Sequence, residues 1–380
     1  MKATGGLYLH VPYCHQKCLY CDFYTAGSRI ADWPLYTQSV INELRERQSE
    51  ITYNLDTLYI GGGTPSLMPK TQFKQLLNTL NDILNKKLWK EFTLEVNPED
   101  VDEERIKIWK DSGVNRISMG IQSMNDAELR GIGRVHTGQQ AKEAYWQLRK
   151  HFENISLDII YGLPGQTLET LKNTVEEILS LMPDHVSVYS LMLEKGTALT
   201  HLVEKKRVQL PTEQEWYEMN LIIQDILEGG GYQRYEISNY SLQGKESRHN
   251  QSYWEGKPYL GLGPGAHSYD GENTRRYNPT DLKGFLSRFG EEEKEGEIFY
   301  EEEILNETEL REEMVMTRLR TVKGLDLNEF EKKFGDEETK KLRERALRYK
   351  SSCHLTEKEG FLSVTDKGFL ISDSIIVDLI

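Results

Sequence analysis

The sequence predicts an α/β protein whose main body is a partial (βα)6 TIM-like barrel, followed by a C-terminal winged-helix-like α+β module. Three observations carry this. Between residues 7 and 192, short apolar strands alternate with amphipathic helices through six repeats, and short connections of this kind imply a parallel sheet. The alternation is regular, which favours an incomplete barrel over an open doubly wound sheet. Beyond residue 303 the pattern changes to helix, helix, helix and a small hairpin.

Leu7–Val11 is the opening strand. Tyr36–Glu50 reads as a helix, because Tyr36, Val40, Ile41 and Leu44 recur at helical spacing. Asp56–Ile60 is a strand that runs into Gly61-Gly62-Gly63-Thr64-Pro65, and Thr71–Leu84 is a helix with one apolar side. Glu91–Val96 is a strand closed by Asn97-Pro98; a helix beginning at Asp102 ends near Gly113. Asn115–Ile121, Ile155–Tyr161 and His185–Leu191 are the remaining strands, with helices at Gly138–His151 and Thr167–Leu181. A long helix, Thr212–Glu228, ends at three glycines and completes a barrel domain over 1–231. Tyr232–Tyr240 reads as a single strand, and 244–279 as loops, within an extension over 232–295. The acidic run Glu291–Glu303 reads as a solvated linker or edge, and a module over 296–380 follows. That module shows helical patterns at Glu307–Leu319, Leu327–Lys333 and Glu337–Tyr349, strands near His354–Leu355 and Phe361–Val364, and a last helix at Asp366–Leu379.

With 380 residues the chain can bury a sizeable core in more than one domain. Its net charge of −14 argues against nucleic acid or an anionic membrane surface as a non-specific partner. No apolar run approaches the roughly 20 residues of a membrane span. The first residues do not read as a signal peptide, and four cysteines do not make a disulfide framework, so a cytoplasmic protein is expected.

Three of those cysteines, Cys14, Cys18 and Cys21, fall as C-x3-C-x2-C directly after the first strand. Structural zinc prefers four ligands in C-x2-C pairs; His10 or His15 would have to complete such a site. A redox pair needs only C-x2-C and leaves Cys14 without a purpose. A [4Fe–4S] cluster on three thiolates keeps one iron open for another ligand.

The cysteine spacing resembles the motif of radical S-adenosylmethionine (SAM) enzymes, whose fold is a full or partial (βα) barrel. Five stretches, in order, widen that resemblance to the oxygen-independent coproporphyrinogen III dehydrogenases and the HemW-type heme chaperones. They are Tyr8-Leu9-His10-Val11-Pro12-Tyr13-Cys14, Gly61-Gly62-Gly63-Thr64-Pro65-Ser66, Glu95-Val96-Asn97-Pro98, Ser118-Met119-Gly120-Ile121-Gln122-Ser123 and Asp158-Ile159-Ile160-Tyr161-Gly162-Leu163-Pro164-Gly165-Gln166. The resemblance implies a cluster on Cys14, Cys18 and Cys21, with SAM on its open iron. Tyr8, Gly63, Thr64, Glu95, Gln122, Arg134 and Asp158 are then the SAM residues. Gly61–Thr64 would approach the SAM amino group, Glu95 would accept from the ammonium, and Asp158 would bond the ribose. Gln122 and Arg134 would grip the amino-acid and ribose portions, and a guanidinium suits a carboxylate because its contact is forked. One electron on such a cluster cleaves SAM into methionine and a deoxyadenosyl radical.

Two departures separate the relatives. The dehydrogenases carry a further cysteine two residues after the last ligand, where this chain has Phe23, and a longer segment before the first strand, where only six residues precede Leu7 here. Both features match the chaperones. His249-Asn250-Gln251-Ser252-Tyr253-Trp254 resembles their HNxxYW motif, which implies heme binding through His249. A neutral imidazole is a good axial ligand. Read alone, the same residues also suit a hydrogen-bonded histidine beside core aromatics. His267 is a second candidate ligand; Cys353-His354 reads as a buried thiol. The implied partners are heme, an acceptor hemoprotein such as one of a respiratory chain, and a flavodoxin or ferredoxin as electron donor. A homodimer is also compatible with the sequence. The alternative activities are coproporphyrinogen III oxidation, other radical chemistry, or a zinc-stabilised binding protein.

Overall fold

A computed structural model describes residues 3–27, 32–86, 88–290 and 298–380. Among these, twelve strands form one sheet. They are β1 (Thr4–Val11), β2 (Asn54–Gly62), β3 (Glu91–Val96), β4 (Arg116–Gln122), β5 (Ile155–Tyr161) and β6 (His185–Ser190), then β7 (Gln233–Glu236), β8 (Asn239–Ser241), β9 (Tyr259–Leu262), β10 (His267–Tyr269), β11 (Thr274–Tyr277) and β12 (Glu301–Ile304). Their order is β12-β11-β10-β9-β1-β2-β3-β4-β5-β6-β8-β7. The six strands β1 to β6 are parallel and adjacent in chain order, with no reversal of direction along the sheet. That is barrel topology, and the sheet stays open because its two outermost strands are not paired with each other.

Alternation along each strand separates two faces. Leu7, Leu9, Leu58, Ile60, Phe92, Leu94, Ile117, Met119, Ile155, Leu157, Val186 and Val188 are buried in the main core. They share it with Tyr36, Val40 and Leu44 of the helix Trp33–Arg47 and with Leu76 and Leu80 of the helix Lys70–Ile83. The opposite face carries Tyr8, Thr57, Tyr59, Glu91, Thr93, Glu95, Arg116, Ser118, Ser156, Asp158, His185 and Ser187. A closed barrel of this kind fills its lumen with branched apolar side chains. Here the lumen is polar, so this interior face is not a packed apolar core.

Three readings of the sequence are corrected. Tyr232–Tyr240 is a hairpin, β7 and β8, turning at Ile237-Ser238. The stretch 244–279 is a helix, Arg248–Trp254, and three strands; β9 extends the parallel sheet beside β1. These elements are too short for periodicity to register, and glycines break them. One, Gly261, cannot be replaced: a Cβ there would lie 2.0 Å from the His267 carbonyl oxygen. The last helix breaks into Asp366–Phe369 and Ser372–Leu379. Three short helices, Asp126–Gly131, Ala198–Glu204 and Leu282–Phe289, lie outside the helices that the sequence predicts. In the acidic run, residues 291–297 lie outside the described residues, and Glu301–Ile304 is the edge strand β12.

The C-terminal module packs helices Glu307–Arg318, Leu327–Phe334 and Asp336–Ser351 on a three-stranded sheet that includes the hairpin Leu355–Lys358 and Phe361–Val364. Its own core includes Val315, Leu319, Phe330, Leu342 and Leu362. Backbone bonds from Ile237 to Arg320 and from Val322 to Tyr235 fasten it to the β7–β8 hairpin. Among the described residues no helix is long and apolar enough to cross a membrane.

Candidate functional site

The cysteine loop leaves β1 at the carboxyl end of the parallel strands. Tyr13–Cys14 pairs with Ala26–Gly27, and Leu19 binds back through the carbonyl of Ile132 (3.0 Å) and the amide of Leu199 (2.8 Å). The three thiols are free and half-buried. Thr64 Oγ1 donates to Cys14 Sγ at 3.3 Å, and Arg134 Nη1 to Cys18 Sγ at 3.8 Å. Burial pushes the Cys14 thiol up to about 11, against the pull of the Thr64 hydroxyl. Among the described residues no three His, Cys, Asp or Glu side chains converge on a single ion. Thiolates on separate corners of a cluster need no such convergence.

Of the residues expected to hold SAM, Gly63, Thr64 and Arg134 touch this loop, while Tyr8, Glu95, Gln122 and Asp158 lie on strands of the lumen. Gly63 N donates to Val11 O and Thr64 N to Tyr13 O, both at 2.7 Å, so these amides brace the cysteine loop. A Cβ on Gly63 would meet Tyr13 O at 2.7 Å and Cys14 Sγ at 3.1 Å, which is why the backbone can lie so close. Glu95 accepts from Tyr59 OH (2.7 Å) and from Gly62 N (3.1 Å). Burial raises its carboxyl to about 7, opposed chiefly by the Tyr59 hydrogen bond. Asp158 accepts from Ser118 and Ser156 (2.9 and 3.1 Å), and burial pushes its carboxyl up as well. Tyr8 OH bonds His10 Nδ1 at 3.1 Å; His10 Nε2 must donate to the Tyr24 carbonyl, so the tyrosine is the donor.

Gln122 and Arg134 stand apart from these satisfied groups. Gln122 is held at a φ of +71°, a conformation a non-glycine residue adopts only under constraint, and its buried Oε1 has no partner. Arg134 Nη2 donates to Asn97 Oδ1 (2.8 Å) and Gly120 O (2.6 Å), yet its buried Nε is also unpaired. Buried polar atoms are nearly always paired. Two orphans beside three half-buried thiols fit a bound cluster with a polar, zwitterionic ligand on it.

His249 lies at the other end of the lumen. The helix Arg248–Trp254 plugs the amino-terminal end of the strands, and Glu91 caps it by accepting from Ser247 Oγ, Arg248 N and His249 N. The His249 ring is 1% exposed, bonded to Thr57 Oγ1 and Tyr253 OH, both at 2.8 Å, and stacked on Tyr59. Burial lowers its pKa to about 3, so it is neutral. His267 is exposed on β10 and stacked on Tyr277, its register partner on β11. Cys353 is exposed too, which corrects the expected buried thiol; it sits in a left-handed turn at φ +61° after the helix Asp336–Ser351. Phe23 is exposed at the end of the cysteine loop.

Two contributors are given no role by the sequence reading. Asn97 bridges Arg134 and, at 3.5 Å, Thr64. Tyr59 links Glu95 to the His249 ring. The Asn-Pro step at a strand end was the available signal for the first. The second needed the sheet register.

Residues 8–178 match the radical SAM superfamily, and residues 305–371 match the HemN C-terminal domain. The chain is 37% identical to the heme chaperone HemW of Lactococcus lactis, over 99% of this chain and 97% of that protein. It is 38% identical to the heme chaperone HemW of Bacillus subtilis, over 86% of each. Among solved structures, the coproporphyrinogen III oxidase HemN of Escherichia coli superposes with a TM-score of 0.84 at 22% identity, over 100% of this chain and 90% of that one; this shows a shared fold. The open polar barrel, the cysteine loop at its mouth and this near full-length likeness place the chain in the HemW heme chaperone family of the radical SAM superfamily.

Proposed function

We propose that this chain is a heme chaperone. It binds a [4Fe–4S] cluster through Cys14, Cys18 and Cys21, SAM on that cluster, and heme through His249, and it passes heme to an acceptor hemoprotein. What supports the cluster and SAM most is the pair of orphaned atoms, Gln122 Oε1 and Arg134 Nε, beside the three thiols. The names of the relatives support heme as cargo. When bound, the cluster supplies one-electron chemistry to SAM. The protein's part is placement. Glu95 accepts from the SAM ammonium once ionised, Arg134 clamps the carboxylate, Asp158 bonds the ribose, and Gln122, Gly63, Thr64 and Tyr8 line the pocket. His249 is already in the neutral form that ligates iron, and Tyr253 OH must release it.

The experiment is anaerobic and run in parallel. Cluster-reconstituted protein is given heme with an acceptor apo-hemoprotein, and separately coproporphyrinogen III with SAM and an electron donor such as a flavodoxin. Heme should appear in the acceptor, with no protoporphyrinogen formed. Protoporphyrinogen without heme transfer would make the chain an oxidase instead.

A further inference from the structure

Arg116 opens β4 on the lumen face and is 1% exposed. Among the described residues its guanidinium makes no hydrogen bond and no ion pair, and its Nε is a buried atom without a partner. Its charge is nevertheless felt at Glu95, Asp158, His185, His249 and Tyr235, so it sits amid the lumen's polar groups. The nearby acids are held by other donors: Glu91 by the helix amino terminus, Glu95 by Tyr59 and Gly62, Asp158 by two serines. The histidines bring no charge. His185 lies between Ser156 and Tyr235 and is kept neutral by burial and by Arg116 itself.

A buried guanidinium with five unused donors is costly unless an anion reaches it. Its planar fork matches a carboxylate. We propose that Arg116 is the receptor for a ligand carboxylate entering the barrel lumen; resting on the heme reading above, that carboxylate is a heme propionate. SAM also carries a carboxylate. Arg116, however, is six residues before Gln122 on one strand, about 20 Å away, whereas Arg134 stands at the thiols. His249 shares the lumen floor with Arg116, so one ligand would meet both.

The test compares hemin with hemin dimethyl ester, which lacks free carboxylates, by titration of wild type, Arg116→Gln and Arg116→Lys, following the Soret band. Wild type should bind hemin at least about tenfold more tightly than the ester. R116Q should lose that preference, and R116K, which keeps the charge without the fork, should retain part of it. Equal binding of both porphyrins by wild type, or an undiminished preference in R116Q and R116K, overturns the proposal. Wild type that binds neither porphyrin removes the heme reading itself. A SAM titration of the reconstituted variants separates the sources: unchanged affinity is expected, and a loss confined to SAM would assign the carboxylate to SAM.

Discussion

The mouth and the floor of the lumen are lined by similar residue types but are finished differently. At the mouth, Gln122 Oε1 and Arg134 Nε are buried and unpaired, Gln122 is held at a positive φ, and three thiols are half-open. At the floor, His249 and His185 use both ring nitrogens, and the Glu91 carboxylate takes three donors. Unused hydrogen-bonding capacity, more than residue type, separates a place prepared for a ligand from one that holds the fold together. Arg116 on the floor is unpaired as well, and so is the hydroxyl of Thr93, its register partner on β3. SAM is thus expected to enter a prepared site, while heme must displace an internal contact.

Cys18→Ser probes the mouth with the largest effect. Iron and acid-labile sulfide after anaerobic reconstitution should fall at least about tenfold, because a hydroxyl is a poor substitute for a thiolate. A fully retained cluster would dismiss the cysteine assignment. At the floor, Glu91→Ala leaves the buried Arg248 and His249 amides at the start of the helix Arg248–Trp254 without an acceptor, while the Ser247 hydroxyl still accepts from Asn250 N. A loss of about 3 kcal/mol in urea unfolding is expected; a loss within 0.5 kcal/mol, roughly that of a neutral surface change, would show that the plug carries little load. A smaller effect returns to the mouth. Glu95, raised by burial to about 7, is protonated as pH falls through that value and then cannot pair with an ammonium. SAM affinity should weaken about tenfold per pH unit below it, and the dependence should vanish in Glu95→Gln. A flat wild-type profile from pH 8 to 5 would take Glu95 out of the contact.

The sequence showed the six parallel strands because period-2 apolar faces and amphipathic helices alternate over long enough runs. It did not show β9 to β11, whose few residues between glycines carry no period, nor the seven-residue helix at Arg248–Trp254, which is too short for a helical period and whose first amides are held by Glu91, far away in sequence, beside the local Ser247 cap. The cysteines and strand-end residues were legible as motifs. Arg134 meets Cys18 only because the loop after β4 returns over the barrel mouth. The isolation of Arg116 was invisible for a different reason: an arginine's lack of a partner is a property of everything around it, not of its neighbours along the chain.

Hemin titration of wild type, Tyr253→Phe and His249→Ala, read at the Soret band, tests the heme assignment most directly. Tyr253→Phe removes the hydroxyl that competes for His249 Nε2, so hemin should bind up to about tenfold more tightly, the worth of one net hydrogen bond. His249→Ala should lose both the affinity and the band position of a histidine-ligated iron. Three superimposable titrations would contradict the assignment of His249 to heme and leave the floor as scaffold alone.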